Sequence, residues 1–285
     1  MNRCAELHST ADLALRRFDH PPETPHEDPD LEVAERWAIA YVRTGTFAVI
    51  INDERHDLRH GSVFLTSPGL RFRCAHEADV PCDVCDSVAF ADAAVAGHEY
   101  AWSRIGWTVR SSPPPRLAYV QRRLAEATQA ANAFEIERWA LASLTALGDE
   151  SRATHRRGPY AFNRRDLDAV LAACESIDRD PESIRSVADR AHAVGRSSAQ
   201  LTHAFRRYVG ISPHQYVVRR RLAWAAERLA DRQTVSDCCY RAGFENLGHF
   251  SRSFRRLLGC PPSEWARLPR TEQRRKVHAL LTRAR

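Results

Sequence analysis

Leu201-Thr-His-Ala-Phe205-Arg206-Arg207-Tyr-Val-Gly210-Ile-Ser-Pro213-His-Gln-Tyr216 returns 49 residues later, without a gap, as Phe250-Ser-Arg-Ser-Phe254-Arg255-Arg256-Leu-Leu-Gly259-Cys-Pro-Pro262-Ser-Glu-Trp265. Self-similarity at a fixed period is read before any other signal, because it means one structural unit used twice. Leu201/Phe205 and Phe250/Phe254 are i,i+4 apolar pairs, which lie together on one helix face. Arg206-Arg207 and Arg255-Arg256 fall near the helix ends, where cations suit the helix dipole and reach phosphates. Gly210 and Gly259 suit a left-handed stop, and Pro213 and Pro262 suit the first position of a following helix, with Ser212 as a cap in the first copy.

Each copy is preceded by a short apolar-striped helix and a glycine turn. In the second, Val235, Cys238, Cys239 and Ala242 form the stripe, Gly243 the turn, Phe244 packs and Asn246 caps. In the first, Ile184, Val187, Ala188, Ala191 and Val194 form the stripe, Gly195 the turn and Ser197 the cap. Helix, glycine turn, helix is the helix-turn-helix unit. A long helix, 215–230, joins the two.

The run Gly243-Phe244-Glu-Asn-Leu-Gly-His-Phe250-Ser-Arg252-Ser-Phe254-Arg-Arg-Leu-Leu-Gly259-Cys-Pro-Pro262 resembles the signature of the AraC/XylS family, and Ala191, Gly195, Ser197, Leu201, Phe205, Gly210, Ser212, Pro213 and Tyr216 resemble that family's first helix-turn-helix. The likeness covers residues 164–268. It implies a seven-helix domain whose two recognition helices enter successive major grooves of DNA, RNA polymerase as a partner, and a cupin-like barrel in front. Arg190 and Arg196 depart from the pattern, standing where the family has apolar residues, and His203 replaces an Arg.

On this reading Ala199, Gln200, Thr202, His203 and Arg206 on the first recognition helix, and Leu247, Gly248, Ser251 and Arg252 on the second, face base edges. Gln200 suits adenine, Thr202 a thymine methyl and Arg252 a guanine. Ser197, Arg207, Asn246, His249, Arg255 and Arg256 are assigned to phosphates. The bland alternative is a solvated helix face.

Charge supports a polyanion partner. The 285 residues carry a net +6, divided into −8 over residues 1–150 and +14 over residues 151–285. All the basic residues but Lys276 are Arg, which fits phosphate forks but equally an Arg-rich codon usage.

The rest of the chain divides by composition. Residues 1–35, rich in Pro and acids, read as a poorly ordered leader. Residues 36–112 alternate as strands (Trp37/Ile39/Tyr41, Phe47/Val49/Ile51, 63–65, 72–74, 84–90) with Gly45, Gly61, Pro68-Gly69 and Pro81 between them, and predict a small β-barrel or sandwich acting as a sensor. Residues 113–148 are helical, striped by Leu117, Val120, Leu124 and Ala127 and then by Phe134, Ile136, Trp139, Leu141 and Leu144, a stripe suited to core or to homodimer pairing. Residues 149–163 read as a linker and residues 269–285 as a basic tail. The fold class is thus α+β: a β-rich, cupin-like N-terminal domain with a helical segment, then an all-α domain.

Eight cysteines without an export signal point to reduced thiols in the cytoplasm. No run is apolar enough to span a membrane. Cys74, His76, Cys82 and Cys85 have spacing compatible with zinc or a thiol sensor, against the alternative of buried core cysteines. No firm cofactor is expected beyond an unidentified small-molecule effector. The chain offers no Ser-His-Asp constellation, phosphate-cradling loop or His-x-His cluster, so an enzyme is disfavoured. A protein-binding helical adaptor is disfavoured by the charge.

Overall fold

The structure is a computed structural model that describes residues 3–20, 31–75, 83–96, 102, 108–153, 163–181 and 186–282. The chain forms two units, 1–162 and 163–285.

The first unit is two antiparallel sheets and a helix pair. Its strands are β1 (Arg3–Ser9), β2 (Leu13–His20), β3 (Glu32–Val33), β4 (Trp37–Thr44), β5 (Thr46–Ile51), β6 (Glu54–Arg59), β7 (Val63–Thr66), β8 (Arg71–Ala75), β9 (Asp83–Phe90) and β10 (Val109–Arg110). They pair in the orders β1-β2-β9-β4-β7-β10 and β3-β8-β5-β6. Gly45, at φ 72°, lets the chain leave the first sheet and enter the second, and Asn52-Asp53, both at positive φ, close the β5–β6 hairpin. Val42, Phe64 and Cys85 from one sheet meet Phe47, Val49, Ile51, Leu58 and Phe72 from the other in a single core. Two packed sheets meet the cupin-like expectation, but among the described residues they do not close into a barrel, since β1, β10, β3 and β6 remain edges.

A short helix α1 (Asp92–Val95) follows β9, and the helices α2 (Pro115–Gln129) and α3 (Ala133–Ala153) pack against each other. Tyr119 meets Trp139 edge-to-face at 5.6 Å, and Tyr41 of β4 donates to Ser143 of α3 at 2.8 Å. The anticipated stripe is buried at Leu117, Val120, Leu124, Ala127, Ile136, Trp139 and Leu144, whereas Phe134 is exposed.

Two boundaries move. The expected leader is structured over residues 3–20: β2 pairs β9 from Leu13↔Phe90 to His20↔Asp83, and Leu13 and Leu15 are buried. β2 buries Leu13, Ala14 and Leu15 as one run and then turns charged, so its composition reads as polar and no alternation marks it as a strand. The expected linker begins later, because α3 runs to Ala153.

The second unit is helical: α4 (Arg164–Arg179), α5 (Val187–Ala193), α6 (Ser198–Tyr208), α7 (Pro213–Ala230), α8 (Val235–Arg241), α9 (Leu247–Leu258), α10 (Pro262–Trp265) and α11 (Arg270–Thr282). Ser197, Ser212 and Asn246 cap as their types suggest, and Gly195, Gly210, Gly243 and Gly259 all stand at positive φ. Leu222, Leu229, Cys238, Cys239, Phe244, Phe250, Phe254, Leu258, Trp265 and Leu280 form the core around the second motif. The presence of Leu280 corrects the expectation of a tail. α11 docks on α7, Gln273 donates to the Trp265 carbonyl at 2.7 Å, and Arg219 donates to the Leu280 carbonyl at 3.3 Å. Val277, Leu280 and Leu281 supply its apolar face within an otherwise basic run.

If α11 is part of the core, Leu280→Ala lowers the stability of this unit by on the order of 2 kcal/mol in urea unfolding. An unchanged unfolding midpoint would show that the segment contributes nothing.

Candidate nucleic-acid interface

The two copies of the repeat bury the same pair of positions. Leu201, Phe205, Phe250 and Phe254 are fully buried. Phe205 meets Tyr216 edge-to-face at 5.8 Å, and Phe254 meets Trp265 at the equivalent positions at 5.4 Å. With these faces turned inward, helical periodicity fixes what turns outward. On α6 the exposed line is Ala199, His203 and Arg206; on α9 it is Gly248, Arg252 and Arg255. Each member of one line is the 49-residue equivalent of a member of the other, so both helices present a small residue, then an imidazole or guanidinium, then an Arg.

The remaining sequence-derived residues fall around these lines. Gln200, Leu247, His249 and Arg256 are exposed, and Thr202, Arg207 and Ser251 are half-buried. Ser197 and Asn246 are occupied as caps: Ser197 accepts from the Gln200 N–H at 3.2 Å, and Asn246 accepts from the His249 N–H at 2.7 Å. Gln200 is also occupied, since its side-chain carbonyl accepts from the Ser197 N–H at 2.9 Å and closes a capping box. A Gln that reads adenine must give up that bond. Arg206 and Arg255 occupy equivalent places, so the repeat gives no reason to assign one to bases and the other to phosphates.

The charges on these faces are uncompensated. Among the described residues, Arg206, Arg252, Arg255 and Arg256 make no ion pair, whereas Arg196 pairs with Asp166 at 3.1 Å, Arg220 with Asp178 at 2.7 Å and Arg270 with Asp231 at 3.0 Å. An Arg that folding leaves exposed and unpaired is available to an external anion. The guanidinium of Arg252 folds over Gly248, with Nη1 3.5 Å from where a Cβ would stand. A groove of about 520 Å³ runs beside the start of α6, lined by Arg165, Asp166, Arg196, Gln200 and His203.

The two departures at apolar positions, Arg190 and Arg196, resolve differently. Arg196 is half-buried and held by Asp166 of α4, while Arg190 is 3 % exposed, so the α5 stripe is built from Arg190 and Ala191 while Ala188 faces solvent. Ile184 lies outside the described residues. Sequence reasoning overlooked Arg165 at the groove, because nothing in the repeat marks the helix before it.

Cys74 and Cys85 sit on β8 and β9 and are free thiols, while His76 and Cys82 lie outside the described residues. Burial, reinforced by nearby carboxylates, pushes both thiols well above their ordinary range. Thiols so placed stay protonated at neutral pH, which suits packing better than redox chemistry. Among the described residues no three His, Cys, Asp or Glu side chains are grouped to hold a metal. Accordingly, Cys85 in the native protein at pH 7 should resist alkylation while the exposed Cys4 reacts. Peptide mapping reads this directly, and rapid modification of Cys85 would restore the sensor idea.

The stretch of the chain that carries the repeat is similar to known proteins. Residues 190–268 match the family described as a helix-turn-helix domain. The chain is 37 % identical over 81 residues to the probable transcriptional regulator LumQ of Photobacterium leiognathi, covering 28 % of this chain and 33 % of that protein. It is 35 % identical over 72 residues to the HTH-type transcriptional regulator YdiP of Escherichia coli, covering 25 % and 24 %. A solved probable AraC family transcriptional regulator from Rhodopseudomonas palustris is 33 % identical, with 35 % of this chain and 95 % of that one covered, at a TM-score of 0.34. The chain thus spans a third or less of the length of these curated relatives. Over this stretch the chain is thus similar to helix-turn-helix domains, among them that of a putative AraC-like transcription regulator of Streptomyces lividans.

Proposed function

We propose that this protein is a sequence-specific transcription regulator that binds double-stranded DNA through α6 and α9, one in each of two successive major grooves. The observation that carries the reading is the duplicated outward line Ala199/His203/Arg206 and Gly248/Arg252/Arg255, cationic and unpaired, on helices whose opposite faces are locked into the core. Arg252 is the principal base reader, in a position to form the bidentate pair with guanine. His203 is its counterpart on α6, flanked by Ala199, Gln200 and Thr202; Leu247, Gly248 and Ser251 flank Arg252. Arg206 and Arg255, alike in place, act alike at the far end of each helix, beside Arg207 and Arg256, where they meet the phosphate backbone. The capped N-termini at Ser197 and Asn246, with His249, complete the backbone contacts.

The β-rich unit, in this proposal, senses a small-molecule effector and acts by favouring one arrangement of the readers over another. The α2–α3 pair provides the surface for a homodimer, with Phe134 exposed on it. The protein works in the cytoplasm, with RNA polymerase as the downstream partner and no catalytic role of its own.

Selection of bound sites from random DNA tests the central reading, and should return two short boxes about one helical turn apart. On the selected site Arg252→Ala costs roughly 1–3 kcal/mol and relaxes one base position, while Arg255→Ala weakens all sequences alike and lowers the salt slope by about 1. A chain that enriches no sequence, and whose DNA affinity ignores salt, is not a regulator of this kind.

A further inference from the structure

Two readers on one domain recognise a composite site only if something fixes the distance and angle between them. The joining helix α7 contributes most of that connection through its apolar face, with Leu222, Ala225, Ala226 and Leu229 buried. Ties on its two sides serve one reader each. Toward the first motif, Tyr216 donates to Asp178 at 2.8 Å and Arg220 pairs with the same carboxylate at 2.7 Å, fastening α7 to α4. Toward the second, the Trp265 indole donates to the Ala226 carbonyl at 2.7 Å.

Arg221 behaves differently, because its guanidinium reaches both sides. Nε donates to the Pro181 carbonyl at 3.1 Å, just beyond the end of α4, and Nη1 donates to the Gly243 carbonyl at 3.2 Å, inside the turn of the second helix-turn-helix. One rigid planar fork thus joins backbone atoms of the two halves. The turn is shaped around it: a Cβ on Gly243 would stand 2.8 Å from the Arg221 Cζ, and the residue holds φ 73° besides. Gly243 thus serves twice: it holds the left-handed backbone, and it leaves the space that the guanidinium occupies and a Cβ would displace.

We propose that Arg221 is a positioning residue for composite-site recognition: by bridging the Pro181 and Gly243 carbonyls it fixes the orientation of the second reader relative to the first, and so sets the box spacing that the protein accepts. It touches no base in this scheme. The inference rests on the DNA-binding reading above, and its experiment separates the two. Lysine at this position keeps the charge but, as a single point donor, cannot span both carbonyls; methionine keeps the stem and removes both charge and donors.

The test measures affinity of the full-length wild type, Arg221→Lys and Arg221→Met for the selected site and for versions with one or two base pairs added or removed between the boxes. The wild type should lose about tenfold or more for each wrong spacing, comparable to a mismatched base pair. Both variants should flatten that profile to within about threefold across spacings, with the salt slope of Arg221→Lys unchanged. A variant profile as sharp as the wild type overturns the proposal, even if overall affinity falls. So does a loss in both variants that merely tracks salt, which would make Arg221 a phosphate contact. Should the variants fail to fold, residual dipolar couplings of the wild type decide: α4–α6 and α8–α10 must fit one alignment tensor, and two distinct tensors refute the brace. Failure of the wild type to select any DNA sinks the function itself, a different result from a flat or sharp variant profile.

Discussion

The second unit depends on an aromatic pair used twice, Phe205 with Tyr216 and Phe254 with Trp265. Each pair locks α6 or α9 to the helix that follows it, across the left-handed stop at Gly210 or Gly259. Rings of this size bury more apolar area than any other contact available to a short helix, and an edge-to-face approach is stiff in angle as well as distance. Neither α6 nor α9 is long enough to be stable alone, so the pair decides both that the helix exists and which way it is rotated. Rotation is the functional variable. Once Phe205 and Phe254 point inward, residues two before and one after each must point outward, and the surface chemistry of the domain follows from its core.

That coupling explains what was legible in the sequence. The repeat displayed both members of each aromatic pair, the glycine stop and the proline start at fixed steps, and hence the faces of α6 and α9 with their side chains. Residues that act through the backbone of a distant element left no comparable trace. Arg221 is one Arg in the run Arg219-Arg220-Arg221, and only the fold separates its role from those of its neighbours, which reach the Leu280 carbonyl and Asp178. β1, β2 and β6 were missed for a related reason. β6 brings only Leu58 to the core, and β2 buries Leu13, Ala14 and Leu15 in one run with no alternation, so neither shows the strand period. α11 was hidden by charge, because Arg270, Arg274, Arg275 and Lys276 surround the few positions that pack.

The charge division between the halves was visible from composition, but its meaning depends on pairing. In the first unit the buried Asp86 sits between Arg17 at 2.7 Å and Arg43 at 3.7 Å, and Asp83 accepts His20 at 3.2 Å. The Arg17 and Arg43 cations are thus spent inside the fold. In the second, several carboxylates are likewise taken, Asp166 by Arg196 and Asp178 by Arg220, yet the outward lines of α6 and α9 are left with theirs uncompensated. Of the cations behind the net +14 over residues 151–285, Arg206, Arg252 and Arg255 stand where the core has already fixed direction. A charge count gives only long-range attraction; a fixed line of unpaired guanidinium groups adds orientation.

The two readers, although built alike, are not equals. Gln200 is held in a reciprocal capping box with Ser197, so any base contact by its carbonyl trades against the start of its own helix. On α9 the corresponding residue is His249, whose N–H is satisfied by Asn246 while its ring lies 5.5 Å from that of Phe244. Gly248 leaves space over which Arg252 folds, and that side chain can swing outward without breaking an ion pair. The α6 line offers only His203 at the equivalent point, a shorter side chain without a guanidinium fork. If both helices enter grooves, the second can exchange solvent for a bidentate base contact at little internal cost, and the first must disrupt its own cap to do as much with Gln200. Under the proposed function, α9 is then the helix suited to discriminate sequence and α6 the one suited to hold register.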